Sequence, residues 1–267
     1  MLLTKKSFRK ILIMVICYFA FGSICMAVSI FFAGIGITDY FLPILGAITY
    51  LLGIVMAVWG GYAEGKGRWI NLGNRLVRNE LKPAEFIGRY EQLRDATDLV
   101  VKKPSVEVLL LASVAYDSLD DREKALLTAN EMIAVASEKK KPFAKLAKAS
   151  LLFSYGDFEK AESLFQEAQT KKLDMMCRGL ADAILKSDRA YALGDYKTVE
   201  VYHLNILEQT FPALDPLGRL VTHYKLGEVY EKLQDNEKAV SYYRYCVAHG
   251  GETAIRLSAM ERMRHLK

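Results

Sequence analysis

Hydrophobic and polar positions divide this chain near Gly60–Gly61. Ahead of that point lie two long apolar stretches, Ile11–Ile35 and Phe41–Trp59, and Asp39 is the only charge between Ile11 and Gly60. Beyond it, charged and apolar residues alternate with a helical period in about two hundred residues rich in Tyr and Leu. Runs of about twenty apolar residues match the length a helix needs to cross roughly 30 Å of hydrocarbon. The pattern therefore predicts a two-helix transmembrane hairpin over residues 1–64, with spans near 11–33 and 41–60. A separate helical domain is predicted over residues 65–267.

The flanks orient the expected hairpin. Lys5, Lys6, Arg9 and Lys10 precede the first stretch, and Lys66, Arg68, Arg75 and Arg78 follow the second. The connection Gly36-Ile37-Thr38-Asp39-Tyr40 has no basic residue. By the positive-inside rule both termini are expected in the cytoplasm, as in a multi-pass integral protein of a bacterial plasma membrane. A cleaved signal peptide fits poorly, because its apolar core is shorter and ends at a small-residue cleavage site. Ile24 before Cys25 also departs from a lipoprotein cleavage pattern. Gly34, Gly36, Gly46, Gly53 and Gly60–Gly61 are places where two helices can approach closely. Tyr50, Trp59 and Tyr62 suit interfacial positions.

Between the hairpin and the C-terminus a single phrase recurs. It reads Leu119-Asp120-Asp121-Arg122-Glu123-Lys124-Ala125, then Tyr155-Gly156-Asp157-Phe158-Glu159-Lys160-Ala161. It returns as Leu193-Gly194-Asp195-Tyr196 and as Leu233-Gln234-Asp235-Asn236-Glu237-Lys238-Ala239. Each copy lies between two helical patterns, so Asp120, Gly156, Gly194 and Gln234 are predicted to reverse the chain. Ala125, Ala161 and Ala239 are then predicted to let the second helix of each pair approach the first. Phe165 and Tyr243 fill the space left by that approach, and Ala168 and Cys246 follow on the same face. Ser113, Ala149 and Gly227 hold the matching places on the first helices, and Trp69-Ile70-Asn71-Leu72-Gly73 opens a weaker copy. Ser105 and Asp215-Pro216 are helix-start signals. Glu252–Lys267 reads as a terminal helix with Ile255, Leu257, Met260 and Met263 as its apolar side.

These phrases resemble the tetratricopeptide repeat family, a helix-turn-helix unit of about 34 residues. The turns here are 36, 38 and 40 residues apart, so the connections between units are lengthened. His203 stands where the Gly194 unit should have its aromatic filler. The resemblance implies an all-α fold in which the hairpin is followed by a right-handed α-solenoid. It also implies a groove on the first helices that binds a peptide segment or helix of another protein. Residues at groove positions are Leu110, Val114 and Asp117, then Leu146, Ser150 and Phe153. They continue with Ile184, Asp188 and Tyr191, then Tyr224, Glu228 and Glu231. Of these, Phe153, Asp188, Tyr191, Tyr224, Glu228 and Glu231 are the candidate partner residues, and the acidic members favour a segment carrying Lys or Arg.

Charge and chemistry narrow the function. The net charge is +5, but residues 1–60 hold four of the 36 basic and one of the 31 acidic residues. Residues 61–267 therefore carry 32 basic against 30 acidic, a balance of +2 with no general drive toward nucleic acid. The four cysteines and four histidines show no metal-ligand spacing, and no cofactor motif is present. No phosphate loop, nucleophile elbow or helix-borne metal motif suggests an enzyme. The sequence reading is a membrane-anchored scaffold or adaptor, with the lipid bilayer and a protein segment as partners. A second reading is an accessory subunit of a membrane transporter or envelope enzyme, bound through the hairpin. Self-association is left open by both.

Overall fold

A computed structural model describes residues 2–3, 5–34, 41–95, 101–102, 104–169, 174–208 and 214–266. The expected hairpin turn Gly36–Tyr40, with Asp39, lies outside them, as do the side chains of Trp59 and Tyr62. Two compact units result: Met1–Trp69 with Gln92–Pro104, and Ile70–Glu91 with Ser105–Lys267. Apart from a two-residue antiparallel pair, β1 (Leu2–Leu3) with β2 (Val101–Lys102), the regular structure of the described residues is helical.

In the first unit, α1 (Lys5–Gly34) packs on the N-terminal half of α2 (Phe41–Gly73). Glycine sets the spacing. A Cβ on Gly22 would lie 2.8 Å from the Tyr50 ring, and one on Gly53 would lie 2.4 Å from Tyr18. Ser23 Oγ and Tyr50 OH are 2.7 Å apart in the same seam. On the outer faces Ile13, Ile24, Leu51 and Val55 are exposed. Among the described residues no helix is long and apolar enough to cross a membrane. The expectation of a multi-pass integral membrane protein with cytoplasmic termini is corrected accordingly.

The second unit is a series of helix pairs. Its first pair joins the end of α2, continued as a π-helix over Asn74–Asn79, to α3 (Pro83–Asp95). The next pairs are α4 (Val106–Ser118) with α5 (Arg122–Val135), and α6 (Lys141–Ser154) with α7 (Phe158–Gln169). Then α8 (Met175–Ala183), a π-helix over Ile184–Arg189 and α9 (Ala190–Ala192) pair with α10 (Tyr196–Glu208). The last pair is α11 (Pro216–Lys232) with α12 (Asn236–His249), followed by α13 (Ala254–His265).

All four predicted turn residues adopt left-handed backbone: Asp120 at φ 60°, Gly156 at 83°, Gly194 at 79° and Gln234 at 61°. In each turn the following Asp donates its N–H to a carbonyl five residues back, at 2.9 Å: Asp121 to Tyr116, Asp157 to Leu152, Asp195 to Ala190, Asp235 to Tyr230. The carboxylates of Asp121, Asp195 and Asp235 then accept from the N–H three residues on, at 3.1–3.2 Å, capping the second helix. Leu81, at φ 52°, is a fifth turn of this type. There Lys82 N–H reaches six residues back, to Leu76 O at 2.7 Å, because the π-helix adds one residue ahead of the turn.

The seams form as the sequence predicts. Ala125, Ala161 and Ala239 are fully buried, as are Ala149 and Cys246. A Cβ on Gly227 would sit 2.4 Å from the Tyr243 ring, so only glycine permits that contact. Ser113 Oγ donates to Ala125 O at 2.9 Å, tying α4 to α5. Ser187 and His203 occupy the positions of that glycine and tyrosine in the Gly194 unit, and their Oγ and Nε2 are 2.8 Å apart.

The first and last pairs of this unit also meet. Arg78 Nη1 lies 3.2 Å from Asp215 Oδ2, and Glu252 N–H donates to Leu81 O at 3.0 Å. A Cβ on Gly251 would lie 2.7 Å from Leu81 Cβ. The π-helical segment thus touches both α4 and α11.

Candidate functional site

The first helices bring most of the predicted partner residues into one polar system. Asp188, in the π-helical segment, accepts from Ser150 Oγ of α6 at 2.7 Å. Asp117 of α4 accepts from Tyr155 OH at 2.6 Å. Burial raises the pKa of both carboxyls above the ordinary range, and Asp117 adds repulsion at Asp188. Lys225 of α11 lies 4.2 Å over the Tyr191 ring and 3.0 Å from Glu228 Oε2.

Tyr224, Glu228 and Glu231 share one face of α11 at helical spacing, and all three converge on Arg262 of α13. Its Nε donates to Tyr224 OH at 3.1 Å, Nη2 to Glu228 at 3.0 Å and Nη1 to Glu231 at 2.6 Å. The guanidinium carbon is 5.7 Å from the Tyr224 ring centre, within cation–π reach. Burial disfavours the charge on Arg262, but the attraction of Glu228 and its neighbours outweighs it and holds the guanidinium protonated. Tyr224 is pushed up by burial and then by Glu228.

Phe153 is placed apart from the others. It is 6% exposed, in the core with Leu146, Ala149, Ala161 and Phe165, and offers a partner no surface. The sequence reading missed Lys225 and Arg262. It assigned α13 by the apolar residues Ile255, Leu257, Met260 and Met263, yet Leu257 is 68% exposed and the helix buries Ala259 instead. The usable signal was Ala259 three residues before Arg262, on one helix face, opposite two acidic residues in need of a cation.

Among the described residues no group of three or more His, Cys, Asp or Glu is arranged to hold a metal ion. Cys177 and Cys246 are buried, and burial pushes their thiols up, to about 11 and about 12. Such thiols are poor nucleophiles.

No curated protein matches the chain. Among solved structures it is similar to a tetratricopeptide repeat protein from Parabacteroides merdae ATCC 43184, at 16% identity and a TM-score of 0.37. That alignment covers 91% of this chain and 86% of the other, a likeness too loose to define how the helices are arranged. The family profile of the tetratricopeptide repeat matches residues 221–248. Those residues hold the Gly227–Tyr243 seam, the Gln234 turn and the acidic face of α11, and it is over them that the chain is similar to a tetratricopeptide repeat.

Proposed function

We propose that the helix pairs form a scaffold that binds a segment of another protein on the inner faces of the first helices, at Asp188, Tyr191, Tyr224, Glu228 and Glu231. The observation that carries this reading is the coincidence of a tetratricopeptide repeat at 221–248 with an aromatic and acidic face on its first helix. Tyrosines supply rigid contact area, and carboxylates supply direction and partner choice. Nothing in the site requires chemistry: its carboxylates, tyrosines and lysine are engaged in hydrogen bonds and ring contacts with one another.

The test is capture on the immobilised full chain, compared with a Tyr191→Ala/Tyr224→Ala variant of unchanged helicity. The variant is expected to lose proteins that the parent retains. The same retained set on both would overturn the reading.

A further inference from the structure

We propose that the end of the α11–α12 seam marked by Arg219, His223 and His249 binds a doubly charged tetrahedral oxyanion of the phosphate class. This site is separate from the acidic face of α11.

Helical spacing separates the two. Arg219, His223 and Tyr230 recur at intervals of four and seven on one side of α11, while Tyr224, Glu228 and Glu231 occupy another. Across the seam, Tyr242, Tyr245 and His249 recur at intervals of three and four on α12. The two rows meet ring against ring. His223 stacks on Tyr245 with ring centres 3.7 Å apart and lies 5.6 Å from Tyr242, and Tyr245 lies 4.4 Å from His249. These rings fix the orientation of His223, one helical turn from the half-buried Arg219.

Negative charge is what this end of the seam lacks. Elsewhere in the unit cations meet carboxylates, as Lys225 meets Glu228 and Arg262 meets Glu228 and Glu231. Among the described residues, none of Arg219, His223 and His249 makes an ion pair. Asp215, four residues before Arg219, caps α11 and pairs with Arg78. Glu200 of α10 is held by Lys197 and by the hydroxyl of Tyr230. Arg219 also stands at the N-terminal end of α11, where the helix dipole disfavours a cation and favours an anion.

The electrostatic consequence falls on His223. Burial, then the charge of Arg219, then His249, lowers its pKa from 6.5 to about 4. Its buried Nδ1 has no hydrogen-bond partner among the described residues. An oxyanion between these groups removes the repulsion. The guanidinium supplies a planar fork of donors, and each imidazole supplies an N–H. A carboxylate, with one charge, is answered by Arg219 alone. The second charge of a phosphate-class anion is what brings the two imidazoles into the site.

The probe is inorganic phosphate, titrated into the full chain at neutral pH and fixed ionic strength, with the imidazole signals of the four histidines followed by NMR. Signals of His223 and His249 are expected to move along one saturating curve while those of His203 and His265 stay. The titration midpoint of His223 should rise when phosphate is present. Acetate should bind about tenfold or more weakly, and Arg219→Gln should weaken phosphate by about tenfold or more without loss of helicity. His249→Gln, at an exposed position, should weaken it as well. Tyr224→Ala, on the other side of α11, should leave it unchanged. O-phosphoserine separates the two sources of the group: tighter binding than inorganic phosphate assigns a phosphate ester, and weaker binding assigns the free ion.

Equal responses to phosphate and acetate would overturn the proposal, as would shifts of all four histidines that grow without saturating. Undiminished phosphate binding by both Arg219→Gln and His249→Gln would overturn it too, because the anion would then sit elsewhere.

Discussion

His203 shows how one exchanged side chain redirects local physics. It stands nine residues after the Gly194 turn, where Phe165 and Tyr243 follow their own turns. Those two are aromatic fillers that carry no charge at any pH below neutral, whereas His203 is a titratable imidazole, 6% exposed, with Nδ1 unpartnered and Nε2 beside Ser187 Oγ. Burial, and then the charge of Lys225, lowers its pKa from 6.5 to about 4. The unfolded imidazole takes up a proton near pH 6.5, while the folded one resists until about pH 4. Stability from this residue is therefore intact above pH 6.5 and falls as pH drops toward 4, by on the order of 2–3 kcal/mol. Asp117 and Asp188, with raised pKa values, push in the opposite direction, and His223, also lowered to about 4, adds to the loss. The useful measurement is thus a difference. A Ser187→Ala/His203→Phe variant rebuilds the small-and-aromatic pair of the other repeats and should lose less stability than wild type between pH 7 and 4.5. Parallel denaturation midpoints across that range would show that His203 is not the sensitive group.

At the scale of the elements, the seams are the quantity to perturb. Ala161 and Ala239 are fully buried five residues after their turns, where the second helix lies closest to the first. Leucine at either position overpacks the seam, at about 1–3 kcal/mol, read as a lower melting temperature of the full chain. An unchanged melting temperature for both variants would overturn this register. These seams and the turns at Asp120, Gly156, Gly194 and Gln234 are legible in the sequence because each local requirement leaves a residue type: left-handed backbone, a capping Asp, a small residue, a filler. The Leu81 turn is not legible. The π-helix over Asn74–Asn79 places Gly73 eight residues ahead of the turn, whereas Gly227 is seven ahead of Gln234, and Phe86 stands where three other units have Ala and the Gly194 unit has Val199. The α11 face is legible as acidic and aromatic on one side of a helix. The cation that meets it is not, because Arg262 joins it through space from 31 to 38 residues away.

For the repeat-bearing unit as a whole, the consequence lies in how disturbance spreads. In an open array each repeat touches only its neighbours, and damage at one end stays there. Here the first segment holds both α4 and α11, through Gly73 against Leu111, Arg78 at Asp215, and Leu81 O accepting from Glu252 N–H. Phe86 anchors that segment: it is fully buried, stacks 6.1 Å from Tyr90 and lies 3.2 Å from where a Gly73 Cβ would be. Phe86→Ala should cost about 3–5 kcal/mol through the cavity it leaves. It should also raise hydrogen exchange at Glu252, far along the chain, because the carbonyl that accepts its proton belongs to the loosened segment. The control is exchange at Asp157 N–H, which donates to Leu152 inside the α6–α7 pair and has no contact with that segment among the bonds it makes. Protection falling at Glu252 more than at Asp157 is the result expected of an array joined end to end. A melting point lowered by the cavity, with protection at Glu252 unchanged, would mean that the contact between first and last repeats carries no coupling and that the array behaves as an open one.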